Sequence, residues 1–134
     1  MINFIESVAK GGKTTKALEQ WLTGDNGLFL TNLDVRAIGT TSSLAERLKM
    51  SEANVEELKV SKMMLPVNSF EDIFSTVDLV LDKREFNKLY IDLDGFRWSD
   101  DTDILKLEEF CKARGITTLI ATKQVPFNQA NFSS

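Results

Sequence analysis

The stretch Ile2-Asn3-Phe4-Ile5-Glu6-Ser7-Val8-Ala9-Lys10-Gly11-Gly12-Lys13-Thr14-Thr15 decides the fold. Its first half is rich in apolar and β-branched residues, which predicts a short buried strand over 2–8. Two glycines follow. From Lys13 the spacing changes, and Ala17, Leu18, Trp21 and Leu22 fall on one side of a helix over 13–22. A strand that runs through glycines into a helix is the opening unit of an α/β domain.

Reading outward repeats the alternation. Gly24-Asp25-Asn26-Gly27 is a turn, and Leu28-Phe29-Leu30-Thr31 is a second apolar strand ending near Asp34. Thr41-Ser42-Ser43 with Glu46 forms a capping-box start for a helix through Leu44 and Leu48, and a further helical stretch begins at Ser51. Met63-Met64-Leu65-Pro66 reads as a break. Ser69 caps a helix whose buried stripe is Phe70, Ile73, Phe74, Val77 and Leu81. A third strand spans 88–93, a helix spans 100–114 with Ile104, Leu107, Phe110 and Cys111 inward, Gly115 stops it, and a fourth strand spans 116–125. The order predicts an α/β three-layer sandwich with a mainly parallel sheet, in one domain over 1–134.

Composition excludes several function classes. Apolar residues make up 43% of the 134 residues and charged residues 27%, as in globular proteins, so a disordered or fibrous chain is ruled out. Sixteen Lys and Arg against twenty Asp and Glu leave a net charge of −4, so nucleic acid would have to be met through a local patch or a partner. With no histidine and one cysteine, Cys111, there is no histidine-based triad, no structural zinc site and no intrachain disulfide. No apolar run reaches membrane-spanning length and the N-terminus has no signal-peptide pattern, which predicts a cytoplasmic protein without membrane contact.

The loop between the first strand and helix carries the first chemistry. Gly12-Lys13-Thr14 has the ending of a phosphate-binding loop, whose full pattern would place glycine where Ser7 stands. Glycines let successive N–H groups point at phosphate oxygens, a helix start favours an anion, lysine supplies a cation, and a threonine hydroxyl can ligate Mg²⁺. The plain alternative is a Gly-Gly turn followed by a solvated lysine. The second feature is Leu89-Tyr90-Ile91-Asp92-Leu93-Asp94, an apolar strand ending in carboxylates. In an open parallel sheet the carboxyl ends of strands form the ligand crevice, and Asp92 there can hold Mg²⁺ on phosphates. Asp94 shares its side by period two. Phe96, Arg97 and Trp98 offer stacking near the crevice or plain core packing, and Met63, Met64 and Leu65 offer a partner patch or core filling.

These segments, in this order, resemble the RecA-like ATPase core, most closely the motor domain of bacterial and phage replicative helicases of the DnaB family, over about residues 2–125. Ser-Val-Ala-Lys-Gly-Gly-Lys-Thr-Thr at 7–15 is similar to that family's first motif. The resemblance therefore implies ATP at Ser7, Lys10, Gly11, Gly12, Lys13, Thr14 and Thr15, and Mg²⁺ at Thr14 and Asp92. Asp34 falls where the family has a water-activating glutamate, one methylene longer, and Gln124 where it has a glutamine that senses the γ-phosphate. The family's later DNA-binding loops and arginine finger have no counterpart here. The expectation is a minimal, phage-type relative that binds Mg-ATP in a DNA replication or recombination assembly, with slow or partner-dependent hydrolysis. Its partners would be single-stranded DNA, another protein or further copies of itself. The competing expectation is a degenerate, non-catalytic module that docks on a protein partner. A nucleotide kinase is a third, without a lid or substrate-pocket signature.

Overall fold

The computed structural model describes residues 2–7, 13–24, 27–33, 45–46, 49–51, 53–54, 57–58, 63–99 and 102–124, with Ser7 and Lys13 described as backbone. Among the described residues five strands and three helices follow in the order β1 (Ile2–Ser7), α1 (Lys13–Thr23), β2 (Gly27–Thr31), β3 (Met64–Pro66), α2 (Phe70–Leu81), β4 (Lys88–Asp92), α3 (Thr102–Ala113) and β5 (Thr118–Gln124). The strands form one sheet in the order β1-β5-β4-β2-β3, and every pairing is parallel. All carboxyl ends therefore share one edge. The expectation of an α/β fold with a parallel sheet agrees with this architecture.

Two layers cover the sheet, and strand alternation sorts the side chains between them. On one face Phe29 and Tyr90 pack with Ala17, Leu18, Trp21 and Leu22 of α1, the stripe expected from spacing. On the other, Leu28, Leu30, Leu89, Ile91, Leu119 and Ala121 pack with Ile73 and Val77 of α2 and Leu107 and Cys111 of α3. Each Leu, Ile or Phe so buried contributes roughly 1.5–3 kcal/mol. Aromatic rings fill the end of this second layer nearest the carboxyl edge. Phe70 stacks on Phe96 at 5.1 Å and meets Trp98 edge-on at 5.8 Å, and Phe4 meets Trp98 at 5.4 Å.

Local chemistry explains the joints. Trp21 Nε1 donates to the Gly27 carbonyl at 3.2 Å and Tyr90 Oη to the Gln20 carbonyl at 3.4 Å, which docks α1 on the sheet. A Cβ at Gly27 would lie 2.8 Å from the Tyr90 ring, so this strand start needs glycine. Ser69 caps α2 by accepting from the Asp72 N–H, as predicted. Ser99 and Asp103 cap α3 reciprocally, the Asp103 N–H donating to the Ser99 hydroxyl at 3.0 Å. Within the described residues α3 begins at Thr102, residues 100 and 101 of the expected helix lying outside them, and Gly115, at φ 76°, follows its end. Across α2 and α3, Arg114 pairs with Asp78 and lies 3.6 Å over the Phe110 ring.

One element differs from expectation. Met63–Pro66 reads as a break, yet Met64–Pro66 is the parallel edge strand β3. A proline ends a central strand but is tolerated at an edge, where only one side needs a backbone partner. Met63 turns the chain into it at φ 62°. Met63 is buried, while Met64 and Leu65 are partly buried against the two layers and line a surface hollow with Val80. The helix expected through Leu44 and Leu48 lies largely outside the described residues, although Ala45 is helical and packs with the α1 layer.

Candidate functional site

The site is built by topology. β5 lies between β1 and β4, and β4 lies beside β2. The strand that leads into the glycine loop and the strand that ends in Asp92 are thus separated by one strand. Alternation turns Asp92 to the same side as Tyr90, beneath the first turn of α1. Asp92 is 1% exposed, which for a carboxylate demands partners.

It has two. Thr14, in the first turn of α1, donates its hydroxyl to Asp92 Oδ2 at 2.8 Å. Thr122, near the end of β5, donates to Oδ1 at 2.6 Å in a buried contact. The residues that sequence reading assigned jointly to Mg²⁺, 78 positions apart, are therefore in direct contact. Thr122 was not among them. A threonine in a strand reads as a β-former, and only the strand order places it beside Asp92. Its signal was the pair Asp92 and Thr122, each a polar residue at the carboxyl end of a predicted strand.

Further hydrogen bonds tie this edge together. Trp98 Nε1 donates to the Thr122 carbonyl at 3.0 Å, and Trp98 is otherwise packed among rings. Its place is the core, not a stacking surface at the crevice. Asn32 ties the end of β2 to the turn after β4: its Nδ2 donates to the Asp94 carbonyl at 2.8 Å and its Oδ1 accepts from the Asp94 N–H at 2.7 Å. Asp94 is exposed in that turn, beyond the end of β4, so strand alternation does not carry it to the side of Asp92. Burial pushes the Tyr90 hydroxyl above its ordinary value.

The other predicted positions fall as follows. Ser7 ends β1 and pairs in register with Gln124, which ends β5 and is exposed, so the start of the glycine loop and the glutamine are neighbours at the carboxyl edge. Lys13 opens α1 and Thr15 follows Thr14 in its first turn, partly buried. Lys10, Gly11, Gly12 and Asp34 lie outside the described residues.

The oxygens of Asp92 and Thr14 are the groups here that could hold a divalent cation. Among the described residues no three His, Cys, Asp or Glu side chains cluster, and the crevice offers a carboxylate and a hydroxyl, both hard oxygen donors. Mg²⁺ is commonly held in this way, by one or two protein oxygens together with substrate phosphates and water. Among the described residues no helix is long and apolar enough to cross a membrane. Compared with protein-family models, curated proteins and solved structures, the chain matches none.

Proposed function

We propose that the chain is a small RecA-like protein that binds Mg-ATP at the carboxyl edge of its sheet. In this reading it serves a DNA replication or recombination assembly, with slow or partner-dependent hydrolysis. The observation that carries the reading is the Thr14–Asp92 hydrogen bond of 2.8 Å at the start of α1. Two residues singled out for one cation from separate motifs meet at one point, which a Gly-Gly turn with a solvated lysine gives no reason to expect.

In this reading the loop from Ser7 to Thr15 receives the phosphates. Free N–H groups at the start of α1 and the Lys13 ammonium offset their charge. Thr14 and Asp92 hold Mg²⁺, which when bound neutralises charge on the outer phosphates. Asp34 orients water and Gln124, beside Ser7, reports the terminal phosphate, roles that rest on the resemblance. A side chain one methylene short at Asp34 misplaces water by about 1 Å, enough for roughly 100-fold in rate.

The arginines favour a second reading for the chemical step. Of the described arginines, Arg84 and Arg114 follow the C-terminal ends of α2 and α3, at the opposite edge of the sheet, and Arg114 is held by Asp78. Arg97 lies on the crevice side, exposed in the loop after β4. A binding module that takes its transition-state charge from a partner, or performs no hydrolysis, fits that placement.

Melting the protein with and without Mg-ATP tests the reading. At 100 times Kd a ligand adds about 2.7 kcal/mol, roughly 8 °C for a domain of this size. Lys13→Ala should remove the shift, and an equal shift in Lys13→Ala would refute it. Phosphate release with and without single-stranded DNA then separates an ATPase from a binding module.

A further inference from the structure

The two hydroxyls on Asp92 are not equivalent. Thr122 is 2% exposed on a strand paired on both sides, and its own carbonyl is taken by Trp98. Thr14 is only partly buried, in the first turn of a helix at the crevice. A cation approaching Asp92 from the carboxyl edge would therefore displace the partly exposed Thr14 hydroxyl from Oδ2 and leave the buried Thr122 contact on Oδ1 in place. Valine would fill the space of Thr122 without the cost of burying a hydroxyl, which is repaid here by one partner, Asp92 Oδ1 at 2.6 Å.

Resting on the Mg-nucleotide reading above, we propose that Thr122 is the positioning residue of the cation site. It fixes the Asp92 carboxylate through Oδ1, so that Oδ2 stays aimed beside Thr14 at a hard divalent cation bound to a polyphosphate. A ligand already oriented by a buried hydrogen bond loses little freedom when the cation arrives, and outer partners of this kind are typically worth 10–100-fold in metal affinity. Thr122 touches neither cation nor nucleotide and acts through Asp92 alone.

The test is a Mg²⁺ titration at fixed, saturating ATP on the full chain, following melting temperature. Thr122→Val should reach the same maximal nucleotide shift as wild type but need about 10–100-fold more Mg²⁺ for half of it, while Thr122→Ser stays within about threefold of wild type. Thr122→Ala removes the hydroxyl with less crowding, and should give the same raised midpoint should the valine variant fail to fold. A variant that melts lower without nucleotide yet keeps the wild-type Mg²⁺ midpoint would show a structural role only and overturn the proposal. A wild-type chain with no nucleotide shift at any Mg²⁺ concentration would remove the underlying reading instead, a result plainly distinct from the first.

Discussion

Ile91 and Asp92 are neighbours on β4 and face opposite ways. Ile91 is fully buried against the α2–α3 layer, where its neighbours are carbon atoms and many apolar shapes would serve. Asp92 is as deeply buried on the α1 side, where its two oxygens are matched by two hydroxyls from two other elements. Both sides of the sheet have an apolar core, Trp21 meeting Phe29 at 5.4 Å on the α1 side, but the α1 side adds buried polar atoms held at hydrogen-bond distance. Burying a charge-bearing group is costly for a small domain, so the α1 side is where function is expected.

The sharpest way to break this contrast is to damage each side separately. Phe70→Ala empties a position 5% exposed among Phe74, Phe96 and Trp98, and should cost about 3–5 kcal/mol in urea unfolding. The free energy that Mg-ATP adds to the folded variant should stay as in wild type. If Phe70→Ala folds and loses that increment, the two sides are not separable. Asp92→Ala is the converse change. It leaves the Thr122 hydroxyl buried with no acceptor, which predicts a loss of about 1–3 kcal/mol and no remaining dependence of nucleotide binding on Mg²⁺. An undiminished Mg²⁺ response in Asp92→Ala would contradict the assignment.

The α2–α3 side has its own titration. Burial pushes the Cys111 thiol from its ordinary 9.0 up to about 11. The folded chain therefore holds this proton to higher pH than the unfolded chain does. The resulting stability is complete below about pH 9 and is lost as pH rises through about 11. Urea midpoints across that window should fall less steeply in Cys111→Ala. Alkylation of native Cys111 near pH 8 should run roughly 100-fold slower than in the unfolded chain, from thiolate population alone. The smallest effect belongs to Asp78 and Arg114, a half-exposed pair between α2 and α3. Asp78→Asn should cost under about 1 kcal/mol and less at high salt, with Mg-ATP binding unchanged.

The legible parts of the sequence were those whose signal is local. The α1 stripe of Ala17, Leu18, Trp21 and Leu22, the Ser69 cap and the Gly115 stop each follow from residues within a turn or two, and the structure has all three. Thr14 and Asp92, singled out from separate motifs, are in contact in the structure, while the role proposed for them awaits its test. Thr122 was not legible, because its meaning depends on β5 lying between β1 and β4, which no short window of sequence records. The edge strand β3 was hidden by Pro66, since whether proline breaks or merely borders a sheet is decided by what lies beside it. Trp98 was ambiguous for the same kind of reason: an aromatic after a strand end serves the core or the crevice depending on which layer it turns to.

Equilibrium dialysis of labelled ATP against the full chain in Mg²⁺ is the most direct measurement. Saturable retention of one nucleotide per chain is expected, abolished in Lys13→Ala and dependent on Mg²⁺ through Asp92. No retention at millimolar ATP, or equal retention by Lys13→Ala, would contradict it.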